Sequence, residues 1–127
     1  MKKEDEHPLE LGKRTKDFAL RIIRLYAALP KTTEAQVIGK QLLRSGTSVG
    51  AHYREARRAK SDADFISKNE GALQELDETG YWLELLSEAN IVEPRRLTPL
   101  LDENGELIAI FVTIVKKVKS KSRKGQG

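Results

Sequence analysis

Apolar side chains recur along this chain in alternating steps of three and four, the repeat that gathers them on one face of an α-helix. Phe18, Ile22, Leu25 and Leu29 form a first stripe, which starts near Thr15 and ends at Pro30, where the missing amide stops a helix. Thr33-Glu-Ala-Gln36 has the hydroxyl and the glutamine that make a capping box. Ile38, Leu42, Ser45, Val49, His52, Ala56 and Ala59 then trace one face of a long second helix. Gly39, Gly46 and Gly50 each weaken that helix by about 1 kcal/mol relative to alanine. The stripe keeps phase through them, so one continuous helix is predicted, with small residues admitting a close neighbour. Ser61 caps a third helix, with Asp62 and Asp64 in its first turn. Its seam is Phe65, Asn69, Ala72, Leu76, Thr79, Leu83 and Leu86, and Asn90 suits its end. Ile91-Val-Glu-Pro94 reads as a connector, and Thr98-Pro99 opens a fourth helix that runs to about Lys119. The β-branched stretch 107–115 alone could pass for a buried strand, but among three helices it would have nothing to pair with.

Four amphipathic stretches with short connectors predict an all-α fold, an antiparallel up-down four-helix bundle. The expected organisation is a mobile polar leader over 1–14, the bundle over 15–119 and a disordered basic tail over 120–127. Two helices are more apolar than a bundle needs. The third keeps Leu73, Tyr81, Trp82 and Leu85 off its seam, and the fourth carries a second stripe of Leu101, Ile108 and Val115. This surplus points to contacts between subunits, with Tyr81, Trp82, Leu85 and Ile108 as the interface candidates.

Polar residues also stand inside the pattern. If the second and third helices pair around Lys60–Ser61, Arg44 lies level with Glu78, one turn from Glu75. A partly buried ion pair follows, whose loss would cost about 3–5 kcal/mol. His52, on the seam, comes level with Asn69.

Charge is unevenly spread. The net charge is +4, yet residues 31–60 carry seven bases and two acids, residues 61–106 three bases and twelve acids, and residues 107–127 six bases and no acid. Such alternation suits pairing within or between subunits as well as binding to nucleic acid. There is no cysteine for a disulfide or a thiolate metal site. The N-terminus has no signal-peptide core, and no apolar run approaches the ~20 residues of a membrane span. A cytoplasmic protein is expected.

Nothing points to catalysis. The order His52-Tyr-Arg-Glu55 is the reverse of the Glu-x-x-His motif of di-iron bundles and occurs once. The other histidine, His7, falls in the expected leader. There is no glycine-rich phosphate loop with a lysine and no nucleophile–base constellation. No catalytic residue, metal or cofactor is expected.

Phe18-Ala19, Gln41-Leu-Leu-Arg-Ser45, Thr47-Ser-Val-Gly-Ala51, Glu55-Ala56, Asp64-Phe65 and Glu75-x-x-Glu-Thr-x-Tyr-Trp-Leu83 together resemble a bacterial four-helix bundle family. Its members include proteins encoded in intervening sequences of 23S rRNA genes, and it is similar to the accessory variability determinant of diversity-generating retroelements. The resemblance spans Asp17 to Lys119. It implies a homopentameric ring, no catalytic activity and a role in binding nucleic acid. This chain departs from the family pattern at His52, where asparagine is usual, and at Asn69, where an aliphatic residue is usual. A compensating His52–Asn69 hydrogen bond is therefore expected.

The function expected on these grounds is electrostatic, sequence-nonspecific binding of RNA or DNA by a homo-oligomer. Candidate contacts are Arg54, Arg57, Arg58 and Lys60, with Lys116, Lys117, Lys119, Lys121, Arg123 and Lys124 of the tail. No aromatic residues interleave with these bases, so reading single strands by stacking is not expected. The alternative is a scaffold that docks a partner protein, such as a reverse transcriptase, without touching nucleic acid.

Overall fold

The structure, a computed structural model, describes residues 3–126 and the side chains of residues 10–122. It contains four helices, α1 (Lys3–Ala27), α2 (Thr33–Arg57), α3 (Asp62–Glu88) and α4 (Pro94–Gln126), and no strand among the described residues. The stretch 107–115 is helical. α1 packs on α2, α2 on α3 and α3 on α4, while α4 touches α1 only lightly. One core unites all four, centred on Phe18, Ile22, Leu42, Leu76, Leu83, Leu97, Leu107 and Phe111, each fully buried.

α1 begins well before Thr15. Residues 3–14, expected as a mobile leader, form its first turns. Leu11 and Thr15 are buried and extend the Phe18–Ile22 stripe backwards in steps of three and four. Thr15 is tolerated there because its Oγ1 donates to the Gly12 carbonyl at 3.1 Å.

α2 is unbroken. Its cap is Thr32 and not Thr33, with Thr32 Oγ1 accepting from the Ala35 amide at 3.3 Å. Gln36 closes no capping box. It donates to the Pro30 carbonyl at 2.9 Å and accepts from the Tyr26 hydroxyl at 3.1 Å. Gly39 and Gly46 face α1, where an added Cβ at Gly46 would lie 2.8 Å from Ile22 Cγ1. Their missing side chains set the closeness of α1 to α2.

Along the α2–α3 contact, Ser45 meets Thr79, His52 lies over Gly71, and Glu55 meets Lys68. A later position on α2 thus meets an earlier one on α3. Ser45 and Thr79 are both buried, their hydroxyl oxygens 2.9 Å apart. The Leu42 and Glu75 carbonyls lie at 3.3 and 2.8 Å respectively. Two hydroxyl protons thus serve a row of acceptors, and no polar atom of the pair is stranded.

Ser61 caps α3, accepting from the Asp64 amide at 3.1 Å. At the far end Asn90 has φ of 60°, the left-handed conformation asparagine accepts more readily than most residues. The Ile91 amide donates to Leu86 O at 3.0 Å and the Asn90 amide to Ser87 O at 3.0 Å, the paired bonds of a Schellman stop.

α4 starts at Pro94 instead of Thr98, because proline fits the first helical position. Pro99 lies inside it, one turn along. It also runs past Lys119 to Gln126, through the segment expected as a disordered tail. Apart from Gly105, no glycine or proline stands between Pro99 and Gly125 to stop it. Val115, expected on the outer stripe of α4, is buried. No described helix is long and apolar enough to cross a membrane.

Candidate nucleic-acid interface

The candidate bases lie where α2 and α4 end. Arg54 and Arg57 occupy the last turn of α2, where positive charge also complements the helix dipole. Arg54, Arg57, Arg58 and Lys60 are all exposed, as are Lys116, Lys117, Lys119 and Lys121 of α4. The fold brings the two groups to one end of the molecule, since Arg57 and Lys117 line the same cavity between α1 and α4. Lys119 is engaged by Glu70 of α3 at 3.0 Å. Among the described residues, the other seven have no carboxylate within 4.0 Å. The side chains of Arg123 and Lys124 lie outside the described residues.

Acids share this end: Glu55 pairs with Lys68 at 3.6 Å, and Asp62 and Asp64 sit in the first turn of α3. The surface is a basic patch with acidic neighbours.

Further along α2, Arg44 bridges two carboxylates. Its Nη1 donates to both Glu75 oxygens at 3.2 and 3.3 Å, and its Nη2 to Glu78. The Arg44 side chain is 49% exposed but Glu75 only 15%, so the pair lies between a surface pair and a buried one. Arg44→Ala should lower stability by about 1–2 kcal/mol, since water reaches the arginine but the Glu75 carboxylate is left largely buried, without unfolding the protein. Urea denaturation followed by circular dichroism measures this.

His52 and Asn69 do not bond to each other. Asn69 donates to the Phe65 carbonyl at 3.0 Å, leaving its Oδ1 buried without a partner among the described residues. His52 turns instead toward Glu75, with Nε2 3.6 Å from its carboxylate, and Nδ1 has no partner among the described residues. The ring packs over Gly71, whose missing side chain makes the room. Tyr53, one position on, is the ring that enters the core, edge-to-face with Phe111 at 5.8 Å. Burial raises the Tyr53 phenol above its ordinary pKa.

Of the interface candidates, Tyr81 is 54% exposed, and Trp82, Leu85 and Ile108 are half-buried. The Tyr81 and Trp82 rings meet edge-on at 5.0 Å. Trp82 Nε1 is buried with no acceptor among the described residues. α1 exposes two further apolar side chains, Leu20 and Ile23, that the stripes did not single out.

A second ion cluster joins α1 to α4. Arg14 of α1 grips Glu103 of α4 with two parallel bonds, Nε at 3.0 Å and Nη2 at 2.6 Å, and reaches Glu106 at 2.9 Å. These carboxylates hold the guanidinium above its ordinary pKa. Asn104, in the α4 core stripe, is buried and donates to the Leu76 carbonyl of α3 at 3.1 Å. The spacing of Glu103 and Glu106 on one helical face was a readable signal, but their partner lies 89 positions away. Among the described residues no group of three or more histidine or acidic side chains could hold a metal ion.

No curated protein matches this chain. A solved structure does: the crystal structure of a protein of unknown function from the S23 ribosomal protein family of Bacteroides thetaiotaomicron VPI-5482. The two are 38% identical, the match covers 86% of this chain and 97% of that one, and the TM-score is 0.81. The family model described as 23S rRNA-intervening sequence protein matches residues 7–113. This chain, with its four helices around one core, belongs to the 23S rRNA-intervening sequence protein family.

Proposed function

We propose that this protein is a non-enzymatic, homo-oligomeric helical-bundle protein that binds RNA or DNA electrostatically and without sequence preference. Its protomer is an antiparallel up-down four-helix bundle, and the assembly is a homopentameric ring. The observation that carries the binding reading is the cluster of exposed bases without carboxylate partners, Arg54, Arg57, Arg58 and Lys60, beside Lys116, Lys117 and Lys121 at one end of the fold. Each base that neutralises a phosphate releases a counterion, which makes such contacts attractive at low salt. Repetition around a ring multiplies weak contacts.

Two observations support assembly. Tyr81 is a large exposed aromatic, and the orphaned Trp82 Nε1 beside it calls for an acceptor that a second copy can supply.

The test is binding of single-stranded RNA and DNA to the full chain across a salt series, with light scattering in the same buffers. Affinity should fall steeply between about 50 and 200 mM salt, with a log–log slope near 0.7 per phosphate contacted. Reversing Arg54, Arg58 and Lys60 to glutamate should flatten that slope. Binding indifferent to both salt and charge reversal would sink the electrostatic reading. A protomer-sized mass at micromolar concentration would sink the ring.

A further inference from the structure

The light contact between α1 and α4 leaves an open cavity of about 830 Å³ beside the Arg14 clamp. Its walls are Leu11 of α1, Tyr53 of α2, Phe65 of α3, and Ile110 and Ile114 of α4. Small residues create the space. Gly12 adds no side chain on α1, so the Arg57 guanidinium lies over it, 3.9 Å from where a Cβ would stand. Ala109 adds little on α4.

The charged groups of the lining are unequal. Arg14 is committed to Glu103 and Glu106. Glu10 is the single carboxylate among the lining residues, against Arg57 and Lys117. Those two cations have no carboxylate within 4.0 Å among the described residues.

We infer that this cavity binds a single-chain amphiphile with an anionic head, a medium-chain carboxylate. The apolar walls take the acyl chain, and Arg57 and Lys117 take the head group. A bare inorganic anion would face mostly apolar walls and lose hydration without compensation. A wholly apolar ligand would leave the two cations unused. From Ala109 to Lys117 the helix rises about 12 Å, a length that suits an extended medium-chain acyl group.

Isothermal titration calorimetry of the full chain with sodium decanoate, below its micelle concentration and at pH 8, tests the proposal. Decanol and decyltrimethylammonium serve as neutral-head and cationic-head comparisons. The expected result is one decanoate per chain, with decanol at least about tenfold weaker and the cation weaker still. Ala109→Trp, at an exposed position, should fill the cavity and abolish binding. The double variant Arg57→Gln, Lys117→Gln should bring decanoate down to the affinity of decanol. Should either variant fold poorly, the head-group comparison on the unaltered chain still decides. Absence of decanoate binding, or equal affinity for all three heads, would overturn the inference. Decanoate affinity that rises on dilution of the protein would assign the cavity to a second copy of the chain and overturn it too. Saturation by an acidic amphipathic peptide with none by decanoate would do the same, in favour of a protein partner.

Discussion

Replacing Gly46 with valine is expected to lower folding stability by about 3 kcal/mol or more, at or beyond the upper end of ordinary overpacking. The first added atom would lie 2.8 Å from Ile22 Cγ1, 3.0 Å from Cγ2 and 3.2 Å from Cβ. Ile22 is fully buried, and a β-branched side chain in a helix has essentially one χ1 rotamer, so it has nowhere to swing. Relief requires α1 and α2 to move apart, which also loosens Phe18, Leu42 and Val49 in the core they share. Gly105 is the contrasting position. It is exposed, and an added Cβ meets nothing within 4 Å. Gly105→Ala should therefore stabilise the protein by about 1 kcal/mol through helix propensity alone. Urea melts of the two variants should shift in opposite directions. An unchanged midpoint for Gly46→Val would mean that α1 and α2 do not pack this closely.

The second large effect is expected at Arg14. Its partner Glu103 is 18% exposed and Arg14 itself 29%, so removing the guanidinium strands a largely buried carboxylate. Arg14→Ala should cost about 2–3 kcal/mol, below the range for fully buried pairs because water reaches part of the cluster. The double variant Arg14→Ala, Glu103→Ala should be less destabilised than the two singles combined, since the stranded charge is gone. The surface pair Lys13–Asp17, one turn apart on α1 at 2.7 Å, is the control. Lys13→Ala should leave stability within experimental error. Additive single and double effects at Arg14 and Glu103 would dissolve the clamp.

What was legible in the sequence was whatever a single helix decides. The α3 seam from Asn69 to Leu86 is buried at every position read from the three-and-four repeat. Ser61 caps where a hydroxyl before two aspartates should, and Asn90 turns the chain where a left-handed residue was wanted. Illegible features depended on another helix. Leu11 fell in the expected leader, before the stripe that starts near Thr15, yet it is buried against the core and its turn is helical. Asn104 breaks the apolar stripe of α4, and a carbonyl of α3 accepts from its amide. His52 and Tyr53 differ by one position, about 100° around the helix, and that rotation decides which ring enters the core. The bases of the candidate interface were readable one by one. Their convergence was not, because it needs the ends of α2 and α4 to arrive at one place.

The connectors, of five, four and five residues, make every strong helix contact one between neighbours in the chain. Closing such short loops costs little entropy, so α1, α2 and α3 can associate as soon as each leaves the ribosome. α4 has no such freedom, for its 33 residues are made after the other three helices, which takes about 2–7 s at ordinary rates of synthesis. During that interval the core lacks the cover that α4 gives to α3. The newborn protein spends those seconds as three quarters of a core, and it is then that it most needs shielding from its neighbours.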